Sequence, residues 1–396
     1  MRLLTGTLIA VVCLLPLAGV SQAQPLPGRA APQAVTAVDY VPPTNLLKNG
    51  DMECPERGAS VLGALPVGWS GVLLRTDYPP DIDSLYARIT EDYSCKFTSW
   101  VEHLQGNDSW GMFAKDSEPN ECGNVPCSPP YGKPFDAAIY QQVAVTPGET
   151  YSLSGWMVSF CGGAATGPGS TPCPYNANEP YDAPGQVYIL KMLGLDPTGG
   201  SDPTASTVQW VSDGRPQTLS GWSNLHLSAT AEAMTMTVFA RIDSPFTWHG
   251  NYGLIDAVTL VPAPVAHFTN IPAAVATRNF SIGWSGDLGP AIATIPGNTY
   301  YLDFALQYRL GSDGIWQDWL TDQPSGSQVF TSTTPGTDLT YYFRVQPLAE
   351  EPNSSGYWPH SRFPGAWTES GPVLASLSSE PLQSTYLPIV LGAPAQ

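Results

Sequence analysis

Two stretches of this chain set flat aromatic rings beside groups that make hydrogen bonds. The first runs Trp100-Val101-Glu102-His103 and resumes at Asn107-Asp108-Ser109-Trp110. The second is Phe246-Thr247-Trp248-His249-Gly250-Asn251-Tyr252. An aromatic face supplies apolar area, and carboxylates, imidazoles and amides beside it can satisfy hydroxyl groups. That pairing suits a polyhydroxylated ring such as a sugar. The residues expected to carry it are Trp100, Glu102, Trp110, Trp248, His249 and Asn251. Trp69 and Trp156 sit in regular strand patterns instead and read as core.

Catalytic patterns are weak by comparison. Glycoside hydrolysis needs two carboxyls about 5–10 Å apart across a cleft. Asp81/Asp83, Glu91/Asp92 and Glu118/Glu121 are pairs of the right type, but all read as loop residues, and any acidic chain has such pairs. Gly283-Trp284-Ser285-Gly286-Asp287 fails the Gly-x-Ser-x-Gly elbow at its last position. The five histidines are scattered, and no His-Glu-x-x-His occurs. Ser312-Asp313-Gly314-Ile315-Trp316 is too short for a sialidase Asp-box and reads as a hairpin. The expectation is a chain that binds and does not catalyse. Calcium, which takes six to eight oxygen ligands, is a better use for the acids.

Composition bounds the class. The 396 residues carry 16 Lys+Arg against 34 Asp+Glu, a net charge of −18. A nucleic-acid binder needs a basic footprint, so that class is excluded, and an anionic membrane surface would repel the chain. Charged residues are only 13%, with 38 Gly, 40 Pro, 12 Trp and 18 Tyr. Low charge with many aromatics and turn-formers suits an all-β protein, not a disordered one.

The N-terminus reads as a secretory signal over residues 1–23: Arg2, an apolar run from Leu3 to Val20, then Ser21-Gln22-Ala23 with cleavage after Ala23. Its removal takes Cys13 and leaves Cys54, Cys95, Cys122, Cys127, Cys161 and Cys173. An even number in an exported chain reads as disulfides. Proximity in sequence favours Cys122–Cys127 and Cys161–Cys173, leaving Cys54–Cys95, among fifteen connectivities that all stay open. Metal ligation by these cysteines lacks a Cys-x2-Cys pair or a histidine at zinc spacing.

Residues 24–43 are a Pro-rich linker. From Asn45 to Val261 short strands alternate with long loops. Ile139–Val145 ends in the turn Thr146-Pro147-Gly148, and Tyr151, Leu153, Gly155 and Met157 share one face of the next strand. Gln186–Leu193, Leu225–Ala229 and Met234–Ala240 follow, the last with Met234, Met236, Val238 and Ala240 on one face. Two loops, at 116–136 and 160–185, carry two cysteines each, which would tether them. Pro262–His267 reads as a stiff linker, and no cysteine follows it. Beyond it Phe280, Ile282 and Trp284 face inward, a Gly-rich turn at 311–314 makes a hairpin, and Tyr341–Val345 again has period two.

Asn45–Glu53 and Tyr252–Leu260 resemble the opening and closing strands of jelly-roll carbohydrate-binding modules of the galactose-binding-like class. The resemblance implies a jelly-roll β-sandwich over 44–262 that binds polysaccharide. It also implies a structural calcium joining first strand to last, held by Glu53 and Asp256, with Asn49 or Asp51 helping. Residues 263–376 resemble a fibronectin type III domain, with an inward Trp and with Tyr341 as the corner tyrosine. Gly286–Tyr300 and Asn353–Trp367 depart from that pattern. The tail, 377–396, holds Tyr386-Leu387-Pro388, similar to Tyr-Leu-Pro tails of secreted bacterial proteins, or forms a last edge strand.

The expected protein is all-β, secreted or on a bacterial cell surface, and monomeric, with no membrane span once the signal is gone. It binds extracellular or cell-wall polysaccharide without catalysis. The alternative is a structural or adhesive surface protein without sugar binding.

Overall fold

The computed structural model describes residues 44–53, 56–60, 63–74, 87–88, 109–114, 135–160, 189–213, 222–244, 252–293, 300–334, 336–351 and 361–377. All belong to one compact unit, Tyr40–Gln396. Among the described residues it is all-β, with sheets antiparallel in all but one strand pair and one four-residue helix. No helix among the described residues is long and apolar enough to cross a membrane.

Strand periodicity builds the first sandwich. In chain order its strands are β1 (Glu56–Ser60), β2 (Gly63–Leu65), β3 (Ser70–Leu73), β4 (Ala87–Arg88), β5 (Trp110–Ala114), β6 (Phe135–Ala144), β7 (Thr150–Phe160), β8 (Leu190–Asp196), β9 (Gln209–Asp213), β10 (Ser223–Thr230), β11 (Thr235–Ser244) and β12 (Tyr252–Pro262). β1 and β2 form a hairpin, and the others form two five-stranded sheets, ordered β10-β7-β12-β5-β4 and β3-β6-β11-β8-β9. Successive side chains of a strand point to opposite faces, so each sheet turns alternate residues inward. Met236, Val238, Ala240 and Ile242 of β11 therefore meet Tyr151, Leu153 and Met157 of β7 in one core. Met234, expected on that face, is 76% exposed, because it lies in the bend before β11 begins.

The chain leaves β12 and re-enters a strand after only Ala263 and Pro264, both buried. The expected linker Pro262–His267 is thus reduced to two residues, and Val265–His267 already pair in a sheet. The following elements are β13 (Val265–Asn270), β14 (Ala274–Val275), β15 (Asn279–Asp287), α1 (Pro290–Ala293), β16 (Tyr301–Leu310), β17 (Gln317–Gln323), β18 (Gly326–Thr331), β19 (Gly336–Glu350), β20 (Arg362–Pro364), β21 (Thr368–Glu369) and β22 (Val373–Leu377). One sheet runs β13-β15-β18; the other runs β14-β22-β19-β16-β17, with β20 and β21 also paired to β19. Phe280, Ile282 and Trp284 point inward to meet Tyr341, Phe343 and Val345, as alternation predicts. The Tyr341 hydroxyl lies 2.5 Å from Ser332 Oγ, so the buried phenol keeps a partner.

β7 departs from simple amphipathicity, since Tyr151 through Ser159 are all buried. Its inner face fills the core, and its outer face lies under the second sandwich. There Trp156 Nε1 donates to Ser361 Oγ at 3.1 Å. Trp156 is therefore buried at a junction and not in the first core, whereas Trp69 is in that core. Asn224 of β10 accepts from Arg362 N at 3.2 Å and donates to Ser154 Oγ at 2.8 Å. Ser228 Oγ donates to the Gly365 carbonyl at 3.1 Å. Beside these contacts Val261, Ile292, Tyr300, Ala349 and Phe363 form a separate apolar cluster. The two segments that depart from the fibronectin pattern thus supply α1, Tyr300 and β20. They are the residues that join the sandwiches.

Candidate functional site

A groove of about 650 Å³ opens beside this junction. That is within the range of pockets that take small ligands, about 300–1,000 Å³. One wall is the outer face of β10, where inward Leu225 and Ala229 leave His226, Ser228 and Thr230 facing the groove. The opposite wall comes from β16, β19 and the segment after β20, with Asp303, Gln346 and Trp367. Asp322 of β17 stands at the rim.

Trp367 is held from behind. The Arg344 guanidinium lies 4.3 Å from its ring centroid and 4.4 Å from that of Trp316. Arg309 stacks on Trp316 at 4.4 Å and on Tyr342 at 5.0 Å. The resulting ladder runs Trp367, Arg344, Trp316, Arg309, Tyr342. Its charges are anchored at their ends: Arg344 Nε donates to Gln307 Oε1 at 2.7 Å, and Arg309 meets Glu369 at 3.4 Å. A cation over an indole face contributes about 0.5–2 kcal/mol, rising as water is excluded. The ring is therefore set before any ligand arrives.

Two further residues are shaped by the fold. Burial, with the Arg362 charge second, pushes the His226 imidazole down to about 4, against a hydrogen bond the ring donates to the Asn224 backbone, which raises it. At neutral pH this ring is uncharged and can both donate and accept. Asp322 has φ of 52°, a left-handed conformation that non-glycine residues seldom adopt. It sits where the β16–β17 register slips between the Phe304–Gln323 and Leu306–Leu320 pairs. A bulge of this kind re-aims a side chain, here to the groove edge.

The bracketing segments meet, but only Tyr252–Leu260 is a strand, within β12; the expected opening strand Asn45–Glu53 is instead a run of bends and turns laid against β12. Val258 N donates to the Gly50 carbonyl at 2.7 Å, and Leu46 N to the Leu260 carbonyl at 3.0 Å. The Asn45 side chain ties both, giving to Val258 O at 2.8 Å and accepting from Leu260 N at 2.9 Å. Asn49, Met52 and Ala257 are all left-handed here, with φ of 51°, 55° and 50°. Asp256 is fully buried and accepts from Ala257 N at 2.6 Å. Asn49 Nδ2 donates to the Glu53 carbonyl at 2.8 Å, while the Asn49 carbonyl already accepts from Met52 N and Trp69 Nε1. Asn49, Asp51, Glu53 and Asp256 make an oxygen-only donor set, which suits a hard cation. Among the described residues, however, no three acidic, histidine or cysteine side chains converge on one metal position. Calcium here would need carbonyls to complete its shell.

Trp110 corrects an expectation. It is 1% exposed and packs in the first core, on β5 opposite Ile255, so its faces are taken by neighbours and not offered to a sugar. Trp100, Glu102, Trp248, His249 and Asn251 lie outside the described residues, as do Cys54, Cys95, Cys122, Cys127, Cys161 and Cys173. No spacing in the sequence marks the groove, because its lining comes from positions up to 217 residues apart, Thr150 to Trp367. The available signal was the outward set Tyr342, Arg344 and Gln346, implied once Tyr341, Phe343 and Val345 face inward.

No protein-family model matches this chain, and no curated protein matches it. Solved structures show distant likeness. A family 61 carbohydrate-binding module in complex with β-1,4-galactotriose aligns at 14% identity and TM-score 0.32, over 55% of this chain and 98% of its own. The adhesin domain of Epf from Streptococcus pyogenes aligns at 10% identity and TM-score 0.25, over 86% and 99%. A Bacteroides uniformis β-glucuronidase 2 variant aligns at 8% identity and TM-score 0.17, over 78% of this chain and 32% of its own.

Proposed function

We propose that this protein binds extracellular or cell-wall polysaccharide without catalysis, and that the groove between its sandwiches takes the sugar. The observation that carries this is Trp367, an indole fixed by the Arg344 stack at the edge of a groove whose polar groups are hydroxyls, amides, carboxylates and an uncharged imidazole. A sugar ring needs an apolar face to stack on and polar groups at its edge, and both are supplied here. Retention of the full chain on a panel of neutral, amino and acidic polysaccharides tests the proposal. Binding to at least one supports it, and retention on none overturns it.

The sequence supports further parts of this reading. Residues 1–23 are a cleaved signal, the six cysteines form three disulfides, and the mature chain is secreted or held at the cell surface. A calcium ion joins the bracketing segments through Glu53 and Asp256, with Asn49 and nearby carbonyls. The second sandwich is of fibronectin type III kind. The β13-β15-β18 sheet facing β17-β16-β19-β22, and the Tyr341–Ser332 contact, support that assignment. A second reading, a structural or adhesive role without sugar binding, draws on the buried junction, which would stiffen a spacer.

A further inference from the structure

We infer that the groove selects a saccharide bearing a protonated amine, a reading that rests on the sugar-binding role proposed above. Among the described residues three carboxylates line it, from Asp303, Asp322 and Glu232, and no lysine or arginine does. Among the described lining residues the one titratable nitrogen, on His226, is uncharged at neutral pH. Two arginines close by are engaged elsewhere. Arg362 is held by Glu350 at 2.9 Å, and Arg344 lies behind the Trp367 ring with its Nε on Gln307.

Asp303 is half-buried in the groove wall, where its field is screened less than at an open surface, whereas Asp322 and Glu232 are exposed at the groove edge. A uronate or sulfate entering would be repelled, in a chain already at −18. An ammonium on the sugar would make charge-assisted bonds with the same carboxylates, which are shorter and stronger than neutral ones. Asp303 and Asp322 belong to adjacent strands β16 and β17, and the bulge holds Asp322 in a left-handed conformation that needs support from its surroundings. The stack on Trp367 then fixes the ring, and the acids read its amine.

The test is calorimetric titration of the full chain at pH 6 with three soluble probes: a β-1,4-glucosamine oligomer, its fully N-acetylated form, and an oligogalacturonate. The amine form should bind about tenfold tighter than the acetylated form, as expected for one charge-assisted bond. That preference should shrink with added salt, and the uronate should not bind. In an Asp303→Asn/Asp322→Asn variant the preference for the amine form over the acetylated form should be lost, whatever the change in overall affinity. Equal affinity for both forms in the unaltered chain, or tightest binding of the uronate, overturns this inference alone. Absence of binding to these probes and to every polysaccharide of the wider panel overturns the sugar-binding role as well.

Discussion

Single residues here do work that their neighbours in sequence do not reveal. Tyr341 is 2% exposed, and its hydroxyl meets Ser332 in the second core. Removing the hydroxyl leaves Ser332 with only the Thr334 carbonyl as partner, so Tyr341→Phe should lower stability by about 1 kcal/mol, read from denaturant midpoints. Glu351 shows the cost of burial near the junction. Burial raises its carboxyl to about 7, against a hydrogen bond from Ser361 that lowers it. Between the ordinary carboxylate value and about 7 the folded chain keeps a proton that the unfolded chain has lost. The stability from this group is therefore full in acid and disappears as pH rises through about 7. His226 runs the other way, its contribution being lost as pH falls toward about 4. Glu351→Gln should melt progressively above the unaltered chain from pH 5 to 8, whereas a constant difference across that range would contradict the assignment. Arg344 is the residue behind Trp367. Arg344→Ala should weaken glycan binding several-fold while leaving the folded core intact, because it frees the ring without touching the ligand.

At the level of elements, much of the fold was legible because alternation is a local property. Phe280, Ile282 and Trp284, or Tyr341, Phe343 and Val345, could only face one core, and they do. The meeting of Asn45–Glu53 with Tyr252–Leu260 was legible from resemblance, and the structure supplies its physical reason in the Asn45 side chain. Asn45→Ala would leave Val258 O without its amide partner and the Leu47 and Leu260 amides without their acceptor. The loss should cost about 1–3 kcal/mol, visible as a drop in melting temperature. Three left-handed residues in the same place each cost on the order of 1 kcal/mol or more, so the junction has little strain to spare. What alternation could not give was the second use of a face. The polar side of β10 reads as solvated, and the all-buried stretch of β7 contains Ser152 and Ser154, which look solvent-facing. Both are covered by β20, a three-residue strand in an irregular segment with no pattern to announce it.

On the scale of the molecule the two sandwiches behave as one body because their junction is apolar as well as hydrogen-bonded. Phe363 is fully buried among Val261, Ile292, Tyr300 and Ala349. One cooperative calorimetric transition is expected for the chain, and Phe363→Ala, which costs about 3–5 kcal/mol of packing, should separate it into two. Two transitions in the unaltered chain would contradict the shared body. The binding groove was not legible because it exists only after the junction forms. His226, Asp303 and Trp367 come from three different strands or their flanks, and no spacing in the sequence links them. The expected aromatic at Trp110 went the other way, into the core, because a flat alternating strand gives an indole no choice of face.

The decisive measurement is therefore the affinity of the full chain and of Trp367→Ala for whichever polysaccharide of the panel binds best. Truncating a stacking aromatic removes about 1–3 kcal/mol. Binding in the groove predicts a loss of about tenfold or more with a single cooperative melting transition retained, lowered only by the lost Arg344 stack. Equal affinity in the two proteins would place the sugar elsewhere and contradict the groove as its site.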